Sequence, residues 1–181
     1  MKNILKVITG FILIRVSLIF LDSCNNTTIP QNISAVTNFK KDRYIGKWYE
    51  IARFDFRFER DLNNTTAEYS LNSTGTIQVV NRGYNFKTKK WEEVNGKAKF
   101  VNNETVGMLK VSFFGPFYNG YNIIALDDDY KYALVAGQSL DYLWILSRNK
   151  TIPEDIKNAY IEKARKYGFN TDKLVWVEHQ K

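Results

Sequence analysis

Between residues 46 and 148 the chain divides into eight short runs in which apolar and polar residues alternate, each ended by turn-forming residues. A period of two sends successive side chains to opposite faces of a strand, and no helix can present that pattern as one continuous face. The runs are Trp48–Phe58, Thr66–Leu71, Ile77–Gly83, Trp91–Val101, Met108–Phe114, Tyr121–Leu126, Tyr132–Ala136 and Tyr142–Ser147. Asn72-Ser73-Thr74-Gly75, Asn102-Asn103, Gly115-Pro116 and Asp127-Asp128-Asp129 punctuate them. Short strands at such spacing predict an antiparallel sandwich or barrel. The period then changes. Thr151-Ile152-Pro153-Glu154 has the form of a capping box with Pro153 in the first turn. Ile156, Tyr160, Ala164 and Tyr167 follow at helical spacing, with Gly168 as a C-cap, and Leu174–Val177 is a last short strand. One helix after eight strands rules out a parallel sheet, in which strands and helices alternate.

Alternation does not separate sandwich from barrel, but the size of the chain favours a barrel. Eight strands closed on themselves enclose an interior that either fills with side chains or holds one small ligand. The runs place small residues among large ones: Ala52, Ala67, Gly96, Ala98, Ala125 and Ala136. These suit a cavity and equally suit a filled core that accommodates bulky neighbours. There are 12 Phe, 11 Tyr and 4 Trp to place.

The N-terminus has its own logic. Lys2 and Lys6 border an apolar run, Val7–Leu21, that stops at Asp22-Ser23-Cys24. A short positive segment followed by a short apolar one reads as a secretory signal, residues 1–23, and the run is too short for a spanning helix. Cys24 is the single cysteine and forms no internal disulfide. It stands where a bacterial lipobox places the thiol that is acylated, although Asp22 occupies a position that such motifs give to small uncharged residues. The other reading is an ordinary cleaved signal with an incidental cysteine. Residues 24–38 are polar and aperiodic, which predicts a tether, and the folded domain is expected over residues 39–181.

Charge and composition narrow the function. Of the formal charge of +7, the first 23 residues carry +2 through Lys2, Lys6, Arg15 and Asp22, and the remainder +5. No long Lys/Arg run occurs, so attraction to an anionic lipid surface is compatible with the sequence and nucleic-acid binding is not required. His179 is the single histidine, close to the C-terminus, and Cys24 precedes the domain. No Cys–His or Ser–His pair and no His/Cys metal site can therefore be assembled inside a barrel. A non-enzymatic protein with no cofactor is expected.

Three short motifs add to this. Gly46-Lys47-Trp48 on the first strand, Asp129-Tyr130 between strands six and seven, and Arg148 after strand eight resemble, in order, the three motifs of lipocalins. The stretches GKWYEIARFDFRFER, LKVSFFGPFYNGYNIIALD and DYLWILSR resemble bacterial lipocalins of the outer-membrane lipoprotein type, and apolipoprotein D is similar at greater distance. The resemblance implies an all-β fold: an eight-stranded antiparallel up-and-down barrel with a C-terminal helix and a short ninth strand. It implies that Trp48 plugs the closed end with Arg148 across it, and that Gly46, Asp129 and Tyr130 are structural there. It also implies a lipid-anchored protein of the outer membrane, facing the periplasm, with a fatty acid or lysophospholipid as partner. A homodimer is compatible with the sequence.

With those turns at the closed end, the opposite loops form the mouth, rich in aromatic and basic residues. Alternation from Trp48 inward then gives a cavity wall of Phe54, Phe56, Ala67, Tyr69, Val79, Ala98 and Phe113. Tyr118, in the turn-rich GPFYNG, is the expected head-group contact. Glu50 shares the parity of Trp48 and either pairs with a cation inside or is turned outward by a bulge. Two other readings stand beside this one. A filled barrel could grip a protein through its aromatic rim, and a pigment could replace the lipid without axial ligation.

Overall fold

The computed structural model describes residues 28–73 and 75–180. The expected signal segment and Cys24 lie outside the described residues. Eight antiparallel strands close into a barrel: β1 (Gly46–Phe54), β2 (Leu62–Leu71), β3 (Ile77–Asn85), β4 (Lys90–Phe100), β5 (Met108–Ser112), β6 (Asn119–Leu126), β7 (Tyr132–Ala136) and β8 (Leu143–Ser147). Each strand pairs with its neighbour in sequence. β1 closes the ring by pairing with β2 through Gly46–Tyr49 and with β8 through Tyr49–Arg53. Below Ala52 the edge of β1 has left β2, and β9 (Leu174–Trp176) pairs there with Ala52–Phe54. A four-residue helix, α1 (Lys41–Tyr44), precedes β1, and α2 (Glu154–Lys166) follows β8.

The expected eight strands, helix and ninth strand are all present; the boundaries differ in instructive ways. The first strand ends at Phe54 rather than Phe58, because the backbone turns at Phe56–Glu59, where Glu59 N donates to Phe56 O. The capping box does not form: α2 has Pro153 at its N-cap without a side-chain cap, and the Thr151 carbonyl instead accepts the Ser147 hydroxyl at 2.9 Å. Most consequential is a bulge in β1 between Glu50 and Ala52, where the register to β8 shifts by one residue. A one-residue slip exchanges the faces of everything beyond it. Trp48 and Glu50 face inward as alternation requires, but after the bulge Arg53 is the inward residue. Phe54 is corrected accordingly: it lies outside the barrel, against Phe169, with ring centroids 6.2 Å apart.

Two apolar clusters result. The inner one includes Trp48, Tyr69, Ile77, Val79, Ala98, Leu109, Val135 and Leu146. The outer one lies between the barrel and α2 and includes Ala52, Phe54, Leu134, Ile145, Tyr160 and Ala164. The apolar stripe of α2 is what this outer face covers, and Tyr160 is pinned by donating to Tyr132 O at 2.9 Å.

The stretch expected as a tether requires a second correction. From Thr28 onward it is part of the folded unit. Val36 N donates to Ile123 O and Gly107 N to Val36 O, both at 2.8 Å, and Phe39 N donates to Thr105 O at 2.8 Å. Ile29 and Ile33 join the outer cluster. Asn122 Nδ2 donates to Thr28 O at 2.6 Å. Gly120 permits that approach, since a Cβ there would collide with the Thr28 carbonyl.

Candidate functional site: the barrel interior and its mouth

The closed end is built around Trp48, which is fully buried. Its indole Nε1 donates to Tyr44 O at 2.8 Å, and the Arg148 guanidinium lies 3.9 Å from the ring centroid. Arg148 also donates to the carbonyls of Arg43, Tyr44, Ile45 and Lys47 at 2.8–3.0 Å. The short helix α1 leaves its last carbonyls without intrahelical partners, and one guanidinium satisfies them while stacking on the indole. Gly46 adopts φ +95°, a conformation that ordinary side chains resist, and a Cβ there would lie 3.4 Å from the Arg148 guanidinium. Tyr130 joins the same knot: its hydroxyl accepts Lys40 N at 2.9 Å and its ring carries the Arg43 guanidinium at 4.4 Å. Asp129 lies outside it, exposed and paired with Lys131 at 2.7 Å.

Above this plug, three phenols form a chain. The Tyr44 and Tyr121 hydroxyls are 2.7 Å apart, and Tyr69 donates to Tyr121 at 2.8 Å. Burial pushes all three phenols well above their usual range, so they stay neutral. A void of about 20 Å³ beside them, lined by residues that include Phe39, Ile77, Ala98, Leu109 and Val111, has room for about one water. The closed half of the barrel is therefore filled by the protein's own side chains.

The mouth half differs. Val94, which shares the inward parity of Gly96 and Ala98 on β4, and Phe113 and Trp144, which pack on the inner cluster, each keep part of their surface accessible. Their partial accessibility distinguishes this end from the fully buried plug around Trp48. Of the expected wall residues, Ala67, Tyr69, Val79, Ala98 and Phe113 share this interior. Phe56 stands at the mouth, edge-on to Trp144 and Tyr142 with centroids 5.8 Å away in both cases. Tyr118 is corrected: it packs on the outer surface, its ring beneath Lys99 and Lys110 at 4.8 and 5.8 Å. The cause is parity, since those lysines alternate with the inward Ala98, Phe100, Leu109 and Val111.

The interior also contains an ionic cluster that alternation alone did not reveal. Arg53, 2% exposed, donates to Glu50 Oε1 at 2.7 Å and to the carbonyls of Glu59 and Leu62 at 2.6 and 3.0 Å. Its Nε lies 3.9 Å from Glu59 Oε2, which accepts Trp144 Nε1 at 3.1 Å. Thr65 donates to Glu50 at 3.2 Å. Glu50 therefore stays inside and has a cation partner across the bulge. Two carboxylates share one guanidinium. Burial, reinforced by the charge of Glu50, raises the Glu59 carboxyl to about 8, against the opposing effects of Trp144 and Arg53. Burial raises Glu50 as well. The sequence signal for Arg53 was a cation three residues after an inward carboxylate, legible only if the bulge is known.

His179 is remote from this interior. Its ring packs edge-on to Tyr49 at 5.5 Å, with Nε2 2.8 Å from Glu50 O on the backbone of β1.

Residues 39–179 match the model of the lipocalin-like domain. The outer membrane lipoprotein Blc of Citrobacter freundii is 51% identical over 156 residues, covering 86% of this chain and 88% of that protein. Blc of Vibrio cholerae is 46% identical, covering 84% and 90%. Apolipoprotein D of Mus musculus is 34% identical over 149 residues, covering 78% and 77%. Among solved structures, insecticyanin from the tobacco hornworm Manduca sexta superposes with a TM-score of 0.68 at 18% identity, over 86% of this chain and 88% of that one, a likeness of fold. Family match, relatives and barrel agree, and the chain belongs to the lipocalin family.

Proposed function

We propose that this protein is a membrane-anchored lipocalin of the bacterial envelope that carries or stores a single-chain lipid, a fatty acid or lysophospholipid. The observation that carries this reading is the partial exposure of inward-facing apolar side chains in the mouth half, above a filled and plugged closed half. An acyl chain enters that half along Val94 and Phe113 and stops at the tyrosine chain above Trp48. The head group stays at the mouth near Phe56, Trp144 and Glu59 rather than at Tyr118. Each buried methylene contributes about 0.8 kcal/mol, so about 16 carbons gain roughly 13 kcal/mol if fully buried. Binding costs about 4–15 kcal/mol in lost freedom. The number of methylenes that the hollow accepts therefore decides affinity.

Relatives about half identical in sequence are named outer membrane lipoproteins, which supports an outer-membrane location with Cys24 as the acylated residue and the barrel in the periplasm. Family membership supports binding rather than catalysis. The test is native mass spectrometry of the domain from residue 28 onward, incubated with lysophospholipid or palmitate. The expected result is a one-to-one adduct that survives desalting. A bare domain at all lipid concentrations overturns the reading.

A further inference from the structure

Six of the nine large apolar side chains that are most exposed among the described residues lie at one end of the molecule. Phe58 follows β1, Phe86 follows β3, Trp91 opens β4, Phe114 and Phe117 follow β5, and Leu140 follows β7. All of these are mouth loops or strand ends. Phe117 is 76% exposed, and Phe58, Trp91 and Phe114 are 64% exposed. At that exposure they point into solvent and do not line the hollow. Contiguous exposed apolar surface of this kind marks a contact site. Phe58 and Phe114, from separate loops, meet with centroids 6.0 Å apart.

The charge around them is basic. Asp55 and Asp61 are taken up by Arg60 and Lys87 in ion pairs of 3.1 and 3.0 Å. Arg57 covers the Phe58 ring at 5.1 Å. Lys89 and Lys90 enter no ion pair among the described residues; the further exposed acids at this end are Asp141 and Glu92, which accepts Asn85 Nδ2 at 2.9 Å. The closed end differs mainly in apolar exposure: its acids Glu104 and Asp129 pair with Lys41 and Lys131 at 2.6 and 2.7 Å, and among the described residues Leu71 is its one strongly exposed large apolar residue.

The N-terminal chain leaves from the mouth end as well. Thr28 is held against Gly120 and Asn122, and Asn122 Nδ2 also donates to Gly137 O, next to the β7–β8 mouth loop. Twenty-seven residues precede Thr28, including the apolar run Val7–Leu21, and Cys24 stands four residues before it. Four residues span at most about 14 Å. The ten residues of β2 reach about 33 Å along the strand. A short tether at Cys24 therefore brings the mouth, and not the closed end, to a membrane.

We propose that the open end is a docking surface for a phospholipid bilayer, with the aromatic residues of the mouth loops in the interfacial region and Lys89, Lys90 and Arg57 toward anionic head groups. Aromatic rings favour that region and basic residues favour an anionic leaflet. The mouth then opens onto the leaflet, and an acyl chain passes between bilayer and barrel without crossing water. The orientation uses the Cys24 anchor of the proposed function, but the contact surface does not depend on the hollow being filled.

The experiment reads tryptophan depth. The full chain is reconstituted in phosphatidylcholine–phosphatidylglycerol vesicles whose phosphatidylcholine is brominated on the acyl chains. The emission of Trp91, taken as the difference between the native chain and Trp91→Phe, should fall at least twofold relative to unbrominated vesicles. Asp128→Trp, in the Trp91→Phe background, places a reporter in the closed-end turn and should show no quenching. The double substitution Phe114→Ser, Phe117→Ser should cut the Trp91 quenching severalfold while the far-ultraviolet dichroism is unchanged. An unquenched Trp91 on vesicle-bound chain, or quenching at Asp128→Trp equal to that at Trp91, overturns the proposal. A chain with no lipid adduct by mass spectrometry but a quenched Trp91 overturns the carrier reading alone.

Discussion

Arg53 carries more of this interior than any other charged residue. It holds Glu50 on one side and the backbone of the Glu59–Leu62 turn on the other, so a side chain on β1 fixes a mouth loop. A lone guanidinium between two buried carboxylates leaves one negative charge in excess, and protonation of Glu59, whose carboxyl is raised to about 8, relieves it. The unfolded chain releases that proton at an ordinary glutamate value. Between about pH 4.5 and 8 the folded state therefore binds more protons than the unfolded one, and stability falls as pH rises across that window, then levels off. Glu59→Gln retains an acceptor for Trp144 and should flatten most of this slope, raising the melting temperature at pH 8 with little change at pH 5. Thermal melts from pH 4.5 to 8.5 check it; an undiminished slope would remove Glu59 as its source. From the sequence, Trp48 and Arg148 were legible because a motif names them. Arg53 and Phe54 were not, because one extra residue in β1 exchanges their faces and leaves no mark on the alternation.

At the scale of elements, the segment from Thr28 to Phe39 behaves as a strap. It runs from the mouth end, at Gly120, to the closed end, at Thr105, and is fastened by backbone hydrogen bonds and by Ile29 and Ile33. Such a segment carries no periodic apolar pattern, which is why its composition read as a tether. The helix α2 was legible because its stripe must cover a face, and Tyr160 and Ala164 do so. Gly120→Val puts a branched side chain where the Thr28 carbonyl lies. The strap should then peel at its mouth end. Amides near residue 33 should exchange at least tenfold faster, while the barrel strands keep their protection and global stability falls by about 1–3 kcal/mol. Hydrogen exchange by mass spectrometry resolves the two regions. Unchanged exchange in the strap would mean that Gly120 does not govern its docking.

Across the whole molecule, the barrel is plugged and filled at one end and open at the other, with Thr28, the first described residue, and the exposed aromatics at the open end. Val94 lies on the inner wall of that open half and is partly exposed. Val94→Trp should fill the hollow from within. The lipid adduct in native mass spectra should drop at least tenfold, and the denaturation midpoint should change little, since the added ring enters free space rather than a packed core. Retained binding would place the ligand elsewhere. The sequence by itself determined the strand count and the closing helix, because periodic patterning is a local property of the chain, and its short motifs carried the resemblance that implied the barrel and the end plug. Only the tertiary structure decided which β1 residues face inward, which half of the barrel is filled by side chains, and that the N-terminal strap leaves beside the mouth. Those depend on register, side-chain filling and docking between distant segments, and each is set by contacts that no local pattern encodes.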